Sequence, residues 1–184
     1  MLEKATFTYN SAAVHLLSVG LTLATGTDTL AYAQSNLFSP LSISQHQWEV
    51  DQQGYSNGGS GLALRGRDLA KIGQLVLQGG QSAADKQTVP KSWIDAMLQT
   101  HWTVGSRVGP LDQLQYGYLW WLASSGGHRI AFAWGYRGQY IFLVPDLHLV
   151  VVLTSRLDDP TVDPNLEANQ GMSFIVGQVL PAVR

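Results

Sequence analysis

At 184 residues, 45% hydrophobic and only 13% charged, the chain reads as one domain with a real core, not as a disordered segment. Its net charge of −2 leaves no electrostatic footprint for nucleic acid. It has no cysteine, so disulfides and thiolate metal sites are excluded, and His15, His46, His101, His128 and His148 lack metal-ligand spacing.

No uninterrupted apolar leader with a small-residue cleavage site follows Met1, so a cytoplasmic location is the default expectation. No run of apolar residues is long enough for a membrane span, and no membrane partner is expected.

Residues 11–25 predict a helix capped by Asn10 or Ser11 and ended by Gly26. It is apolar almost all round and is expected to be buried. A shorter helix follows at 28–36, then a turn-rich connection around Pro40, a short strand at 47–51 and a glycine-rich loop at 54–61. Residues 67–78 form an amphipathic helix, with Leu69, Ile72, Leu75 and Val76 on one face and Gly79-Gly80 as its stop. Pro90 opens another helix, with Trp93, Ile94, Met97 and Leu98 expected inward.

Strands rich in β-branched and aromatic residues come next, near 116–123, 128–134, 139–144 and 147–155. The joins at Gly135–Gly138 and Pro145-Asp146 are so short that the last three strands must be antiparallel neighbours. Trp120 and Trp121 point to opposite faces, which predicts that one is exposed. Asp163-Pro164 precedes a final helix to about residue 181. The order indicates an α+β fold with helices on an antiparallel sheet. The whole chain is expected to be a single domain, mainly helical over 1–115, with the sheet and C-terminal helix over 116–184.

Several residues invite a catalytic reading. Gly54-Tyr55-Ser56-Asn57-Gly58 matches the nucleophile-elbow pattern, with Asp112 or Asp146 and His128 or His148 available to complete a Ser…Asp…His order. An elbow needs a buried strand before it and a helix directly after it. Gly58–Gly61 reads as loop, so an ordinary loop is the favoured reading and Ser56 is an alternative nucleophile. Ser125-Gly126-Gly127-His128 reads as a turn. Among the tryptophans, Trp134 beside Gly135 is the one expected near a ligand.

The pieces at 55–80, 89–98, 116–122 and 134–155, in that order, resemble the serine β-lactamase-like hydrolases. These include class C β-lactamases, DD-peptidases, family VIII esterases and 6-aminohexanoate-dimer hydrolases. The resemblance implies three motifs. Tyr9-Asn10-Ser11 matches the tyrosine motif ahead of a helix, with Tyr9 as the proton-transfer phenol and Ser11 as the polar third residue. An N-cap with a packed tyrosine is the purely structural reading of the same residues.

Trp134-Gly135-Tyr136 stands where the family carries its cleft-lining strand, and the Tyr136 N–H would serve an oxyanion. The lysine of that motif is missing, which points away from penicillins. Arg137 replaces a glycine that relatives commonly have, either binding a carboxylate or narrowing the site and pointing to solvent. Gln139 completes the substrate-binding set. The S-x-x-K motif that supplies the nucleophile is absent, because no serine has a lysine three residues on.

The chain therefore resembles the C-terminal part of the family fold. The family's sheet takes two strands from its N-terminal region, and without them the 147–155 strand is a long apolar edge. The edge is expected either to pair with another chain, with homo-oligomerisation one form of this, or to be covered locally. The function implied is hydrolysis of a small ester, or an amide, through an acyl-enzyme, with no metal and no cofactor. The alternative is a non-catalytic truncated member that binds a ligand or a partner.

Overall fold

The computed structural model describes residues 6–82, 86–156 and 158–183. The chain divides into two compact units, Met1–Asp68 and Leu69–Arg184.

In the first unit, helix α1 spans Ser11–Thr25. Asn10 caps it, its side-chain oxygen accepting from the Ala12 and Ala13 N–H groups at 2.9 and 3.2 Å. Gly26 ends it in the left-handed region at φ 65°. The expectation that α1 is buried fails. Ser18 is its only buried residue, while Leu16, Leu17 and Leu23 are 66%, 61% and 70% exposed.

The reason lies in which line of the helix faces in. Ser11, His15, Ser18 and Thr22 recur at helical spacing, and this polar line meets the rest of the unit. Ser18 Oγ donates to the Ser56 carbonyl at 2.6 Å, and Thr29 Oγ1 donates to the Ser18 carbonyl at 2.9 Å. Gly58 and Gly59 pack directly on the helix, where a Cβ on Gly59 would stand 2.5 Å from the Ser11 carbonyl oxygen.

Asp28 caps α2 (Thr29–Ala33), which widens into a π turn at Gln34–Phe38. Strand β1 (His46–Trp48) pairs antiparallel with β2 (Leu62–Leu64). Buried Phe38, Leu41 and Ile43 form the unit's small apolar centre.

The unit boundary falls in the first turn of α3 (Gly66–Leu77), and α4 follows at Lys91–Met97. The second unit is built on a six-stranded antiparallel sheet in sequential order. Its strands are β3 (Trp102–Thr103), β4 (Gln115–Tyr116), β5 (Trp121–Ser125), β6 (His128–Gly135), β7 (Gln139–Val144) and β8 (Leu149–Leu153). The single strand expected at 116–123 is in fact a hairpin. Gly117 N–H donates to the Trp120 carbonyl at 2.8 Å, and Leu119 sits at φ 63°. Gly117 also lies against the Met97 carbonyl so closely that no Cβ fits. That backbone approach breaks the strand where hydrophobicity alone would continue it.

Both faces of the sheet are covered, which is why Trp120 and Trp121 face opposite ways yet are both buried. On one face Leu122, Ala131, Ile141 and Leu143 pack with Trp120, with Val76 of α3 and with Ile94 and Met97 of α4. Gly73 lets α3 lie close, since a Cβ there would be 2.6 Å from Val150. On the other face Trp121, Phe132, Tyr140 and Phe142 form an aromatic layer. The last helix, α5 (Pro164–Phe174), is capped by Asp163 and continues through a π turn to Val179. Tyr140 Oη donates to the Ala168 carbonyl of α5 at 3.0 Å.

Trp93 departs from its expected inward position and is 52% exposed, stacked on Tyr118 with ring centroids 5.6 Å apart. Strand β8 is hydrogen-bonded to β7 and ends the sheet on one side; the two-residue β3 ends it on the other.

Candidate active site

The first unit carries Tyr9, Ser11 and Ser56. Tyr9 is 52% exposed just ahead of α1. Ser11 is the first helical residue and is exposed, because Asn10 rather than Ser11 takes the capping role. A nucleophile there would sit at the positive end of the helix dipole, which favours a developing alkoxide.

Ser56 is different. It is 1% exposed, and its hydroxyl donates to Asp28 Oδ2 at 3.2 Å. Asp28 thereby caps α2 with one oxygen and holds Ser56 with the other. Such a hydroxyl offers no open approach to a substrate carbonyl. The strand and helix that an elbow needs are also absent around it, since residues 57–61 are loop.

His15 sits one helical turn beyond Ser11. Its Nδ1 accepts the Gly58 N–H at 3.3 Å, which leaves the ring proton on Nε2, 3.0 Å from Asp51 Oδ2. Both ring nitrogens are thus occupied, and His15 acts as a strut between α1 and the 51–58 loop. Burial pushes the Asp51 carboxyl up, but the Tyr55 N–H, His15 and the Gln53 N–H outweigh it and hold the group below its ordinary value.

The second unit carries the turn between β6 and β7. Gly135 and Gln139 are paired, and Gly138 N–H donates to the Gly135 carbonyl at 3.1 Å. Arg137 occupies the third position of that turn at φ 60°, where a type II turn ordinarily takes glycine. Tyr136 is 66% exposed, with the Arg137 guanidinium 5.9 Å from its ring centre.

The Arg137 side chain is 4% exposed and does not point to solvent, and it binds a carboxylate of this chain, not of a ligand: Nη1 to Glu167 Oε2 at 2.8 Å. Nη2 donates to the Asp159 and Val162 carbonyls, while Nε has no hydrogen-bond partner among the described residues. Ser155 Oγ donates to the Arg137 carbonyl at 2.5 Å, and the Gln139 side chain bonds Ser155 through both its amide nitrogen and its oxygen. The turn is therefore clamped by α5 on one side and by the end of β8 on the other. Trp134 is half-buried, packed on Trp121 and Tyr140 at 5.5 and 6.3 Å between ring centres.

Gly135, Tyr136, Arg137 and Gln139 thus share one hydrogen-bonded turn. Sequence reasoning missed Asp28, Ser155 and Glu167, the residues that hold these groups. Their partners lie 16 to 30 residues away, and no local signal marks them. Among the described residues no cluster of three or more His, Asp or Glu is placed to hold a metal ion. A cleft of about 590 Å³ lined by residues between Gln34 and His46 contains none of the expected site residues.

Comparison with known proteins decides the family. The model of the family described as beta-lactamase matches residues 4–171. The chain belongs to the beta-lactamase family. It is 27% identical over 142 residues to a 6-aminohexanoate-dimer hydrolase from Paenarthrobacter ureafaciens, covering 73% of this chain and 35% of that protein. A candidate 6-aminohexanoate-dimer hydrolase from Bacillus anthracis superposes with a TM-score of 0.76 at 20% identity, over 98% of this chain and 46% of that one. The octameric penicillin-binding protein homologue from Pyrococcus abyssi gives 0.68 at 18% identity, over 94% and 43%.

The chain therefore spans between about a third and a half of the length of these relatives. The resemblance read from the motifs and the α+β architecture both hold within this family. The match takes in Tyr9-Asn10-Ser11 and the β6–β7 turn together.

Proposed function

We propose that this chain carries the tyrosine-bearing and oxyanion-binding parts of a serine hydrolase that acts on small carboxylic esters through an acyl-enzyme. The observation that supports the reading is the family match over residues 4–171, a span that includes both Tyr9-Asn10-Ser11 and the Gly135–Gln139 turn. In the proposed sequence a serine oxygen attacks the ester carbonyl as its proton passes to the Tyr9 phenol oxygen, and the phenol's own proton passes on to the departing alkoxide. The oxyanion accepts a hydrogen bond from the Tyr136 N–H, collapse expels the alcohol, and water releases the acid. The missing lysine on β6 supports esters over penicillins. An amide substrate is the next choice, in line with the dimer hydrolase among the relatives.

No serine of this chain carries a lysine three residues on. Ser11 is the first candidate within it, and Ser56 the second despite its burial. Labelling with a fluorophosphonate, read by intact mass and peptide mapping, tests the reading. We expect an adduct on Ser11 that Ser11→Ala abolishes. Tyr9→Phe is expected to slow p-nitrophenyl ester turnover roughly 10²- to 10⁴-fold. Neither adduct nor turnover from the wild-type chain would sink the catalytic reading and leave a ligand- or partner-binding module.

Self-association, or strand addition at β8, belongs to the same proposal. One relative is itself an octamer. Strand β8 is five apolar residues without charge or proline, the kind of edge that accepts another strand.

A further inference from the structure

Asn57-Gly58 is the only Asn-Gly pair in the sequence, and each group that could react there is already bonded. Gly58 N–H donates to His15 Nδ1 at 3.3 Å, while His15 Nε2 lies 3.0 Å from Asp51 Oδ2, which keeps the ring proton away from Nδ1. Gly59 N–H donates to Asn57 Oδ1 at 3.0 Å. That bond folds the Asn57 side chain back over its own main chain, on the side of the peptide nitrogens that follow. Asn57 Nδ2 donates to Ser60 Oγ at 3.0 Å. Gly58 has no side chain to shield its nitrogen. A backbone nitrogen with a base on its hydrogen thus adjoins a side-chain carbonyl with a donor on its oxygen.

We propose that Asn57 is a self-modification site, at which His15 drives its conversion to a succinimide and then to isoaspartate. The Gly58 nitrogen bonds to Asn57 Cγ as its proton passes to His15 Nδ1. The negative charge that develops on Oδ1 is met by the Gly59 N–H. Collapse breaks the Cγ–Nδ2 bond, His15 returns the proton to Nδ2, and ammonia leaves. Water then opens the five-membered ring at either carbonyl, giving isoaspartate or aspartate. Every group in the step lies within residues 15–60 and the co-reactant is water, so no covering segment or partner enters. Neither Tyr9 nor Ser11 takes part, which makes the site independent of the hydrolase reading.

The same loop packs on α1. A Cβ on Gly58 would stand 2.8 Å from the Val14 carbonyl oxygen, and the Asn57 carbonyl accepts the Trp48 Nε1–H at 2.7 Å. Isoaspartate adds a carbon to the main chain at this contact, so the modification loosens the loop from the helix.

The test incubates the folded chain beside the same chain unfolded in urea. Residue 57 is followed by peptide mapping with electron-transfer fragmentation, which separates isoaspartate from aspartate. The folded chain is expected to convert about tenfold faster, less than a well-placed general base usually gives because the 3.3 Å contact is long. His15→Gln keeps an acceptor for Gly58 but not a base, and is expected to remove that advantage. The comparison of folded with unfolded wild-type chain stands even where the variant misfolds. The isoaspartate form, separated by ion exchange, is expected to melt several degrees below the unmodified one.

Conversion no faster in the folded chain than in the unfolded one would overturn the proposal. So would a His15→Gln chain, folded by circular dichroism, that converts as fast as the wild type. Equal melting of the two forms would overturn the coupling to α1.

Discussion

At the scale of single residues, the decisive group is Arg137. A long side chain in the left-handed region costs about 1–2 kcal/mol of backbone strain. Here its head is buried against Glu167 and two carbonyls, and that network fixes the turn. Glu167→Ala removes the only carboxylate bonded to the Arg137 head among the described residues and is expected to lower the urea unfolding midpoint. An unchanged midpoint would show that the clamp is not structural. Gly138 has a comparable role. At φ 82°, with a Cβ position 2.9 Å from the Ala168 Cα, Gly138→Ala is expected to cost about 1–3 kcal/mol. The sequence marked positions 134–139 as a wall but gave opposite readings of Arg137. The partner that settled it lies 30 residues on.

At the scale of elements, titration and exposure separate the structural joints from the site. Tyr140 is 1% exposed, and burial raises its hydroxyl well above the ordinary value of 10. A group raised on folding contributes stability that is whole below its unfolded pKa and is lost as pH rises through the folded one. Alkaline unfolding should therefore set in above pH 10. Tyr140→Phe should flatten that limb, at a cost near neutrality of about 1 kcal/mol for the lost bond to Ala168. An unchanged alkaline limb in the variant would contradict the assignment.

Asp51 and Asp146 run the other way. Asp51 is lowered from 3.8 by the bonds that outweigh its burial, Asp146 by its bond to His128. Stability from a lowered carboxyl is whole above the unfolded pKa and lost as pH falls through the folded one. Both contributions should therefore fade only below about pH 4. Helix α1 shows the limit of reading an element by itself. Its span and both ends were legible in Asn10 and Gly26, but not which side faces in. Polar residues at helical spacing turned inward because hydroxyls and a histidine could be satisfied there by Thr29, Ser56 and Asp51.

At the scale of the whole molecule, the chain spans 35% to 46% of the length of the relatives it matches, and it presents two apolar surfaces. One is the outer stripe of α1 and the other the β8 edge.

The sequence by itself determined the antiparallel meander, because its joins are too short for any other pairing. It also determined most helix limits, through caps and glycines that act within four residues. Tyr9-Asn10-Ser11 and the Gly135 turn were legible for the same reason, as local patterns, and so was the absence of S-x-x-K. Tertiary structure alone decided what depends on distant partners. It split the 116–123 segment against Met97, buried both Trp120 and Trp121 by covering each face of the sheet, and turned the apolar side of α1 to solvent. It also locked the Tyr136 turn with Glu167 and Ser155 and buried Ser56 against Asp28. Periodicity states which residues share a face. Only the packing of the finished chain states what that face meets.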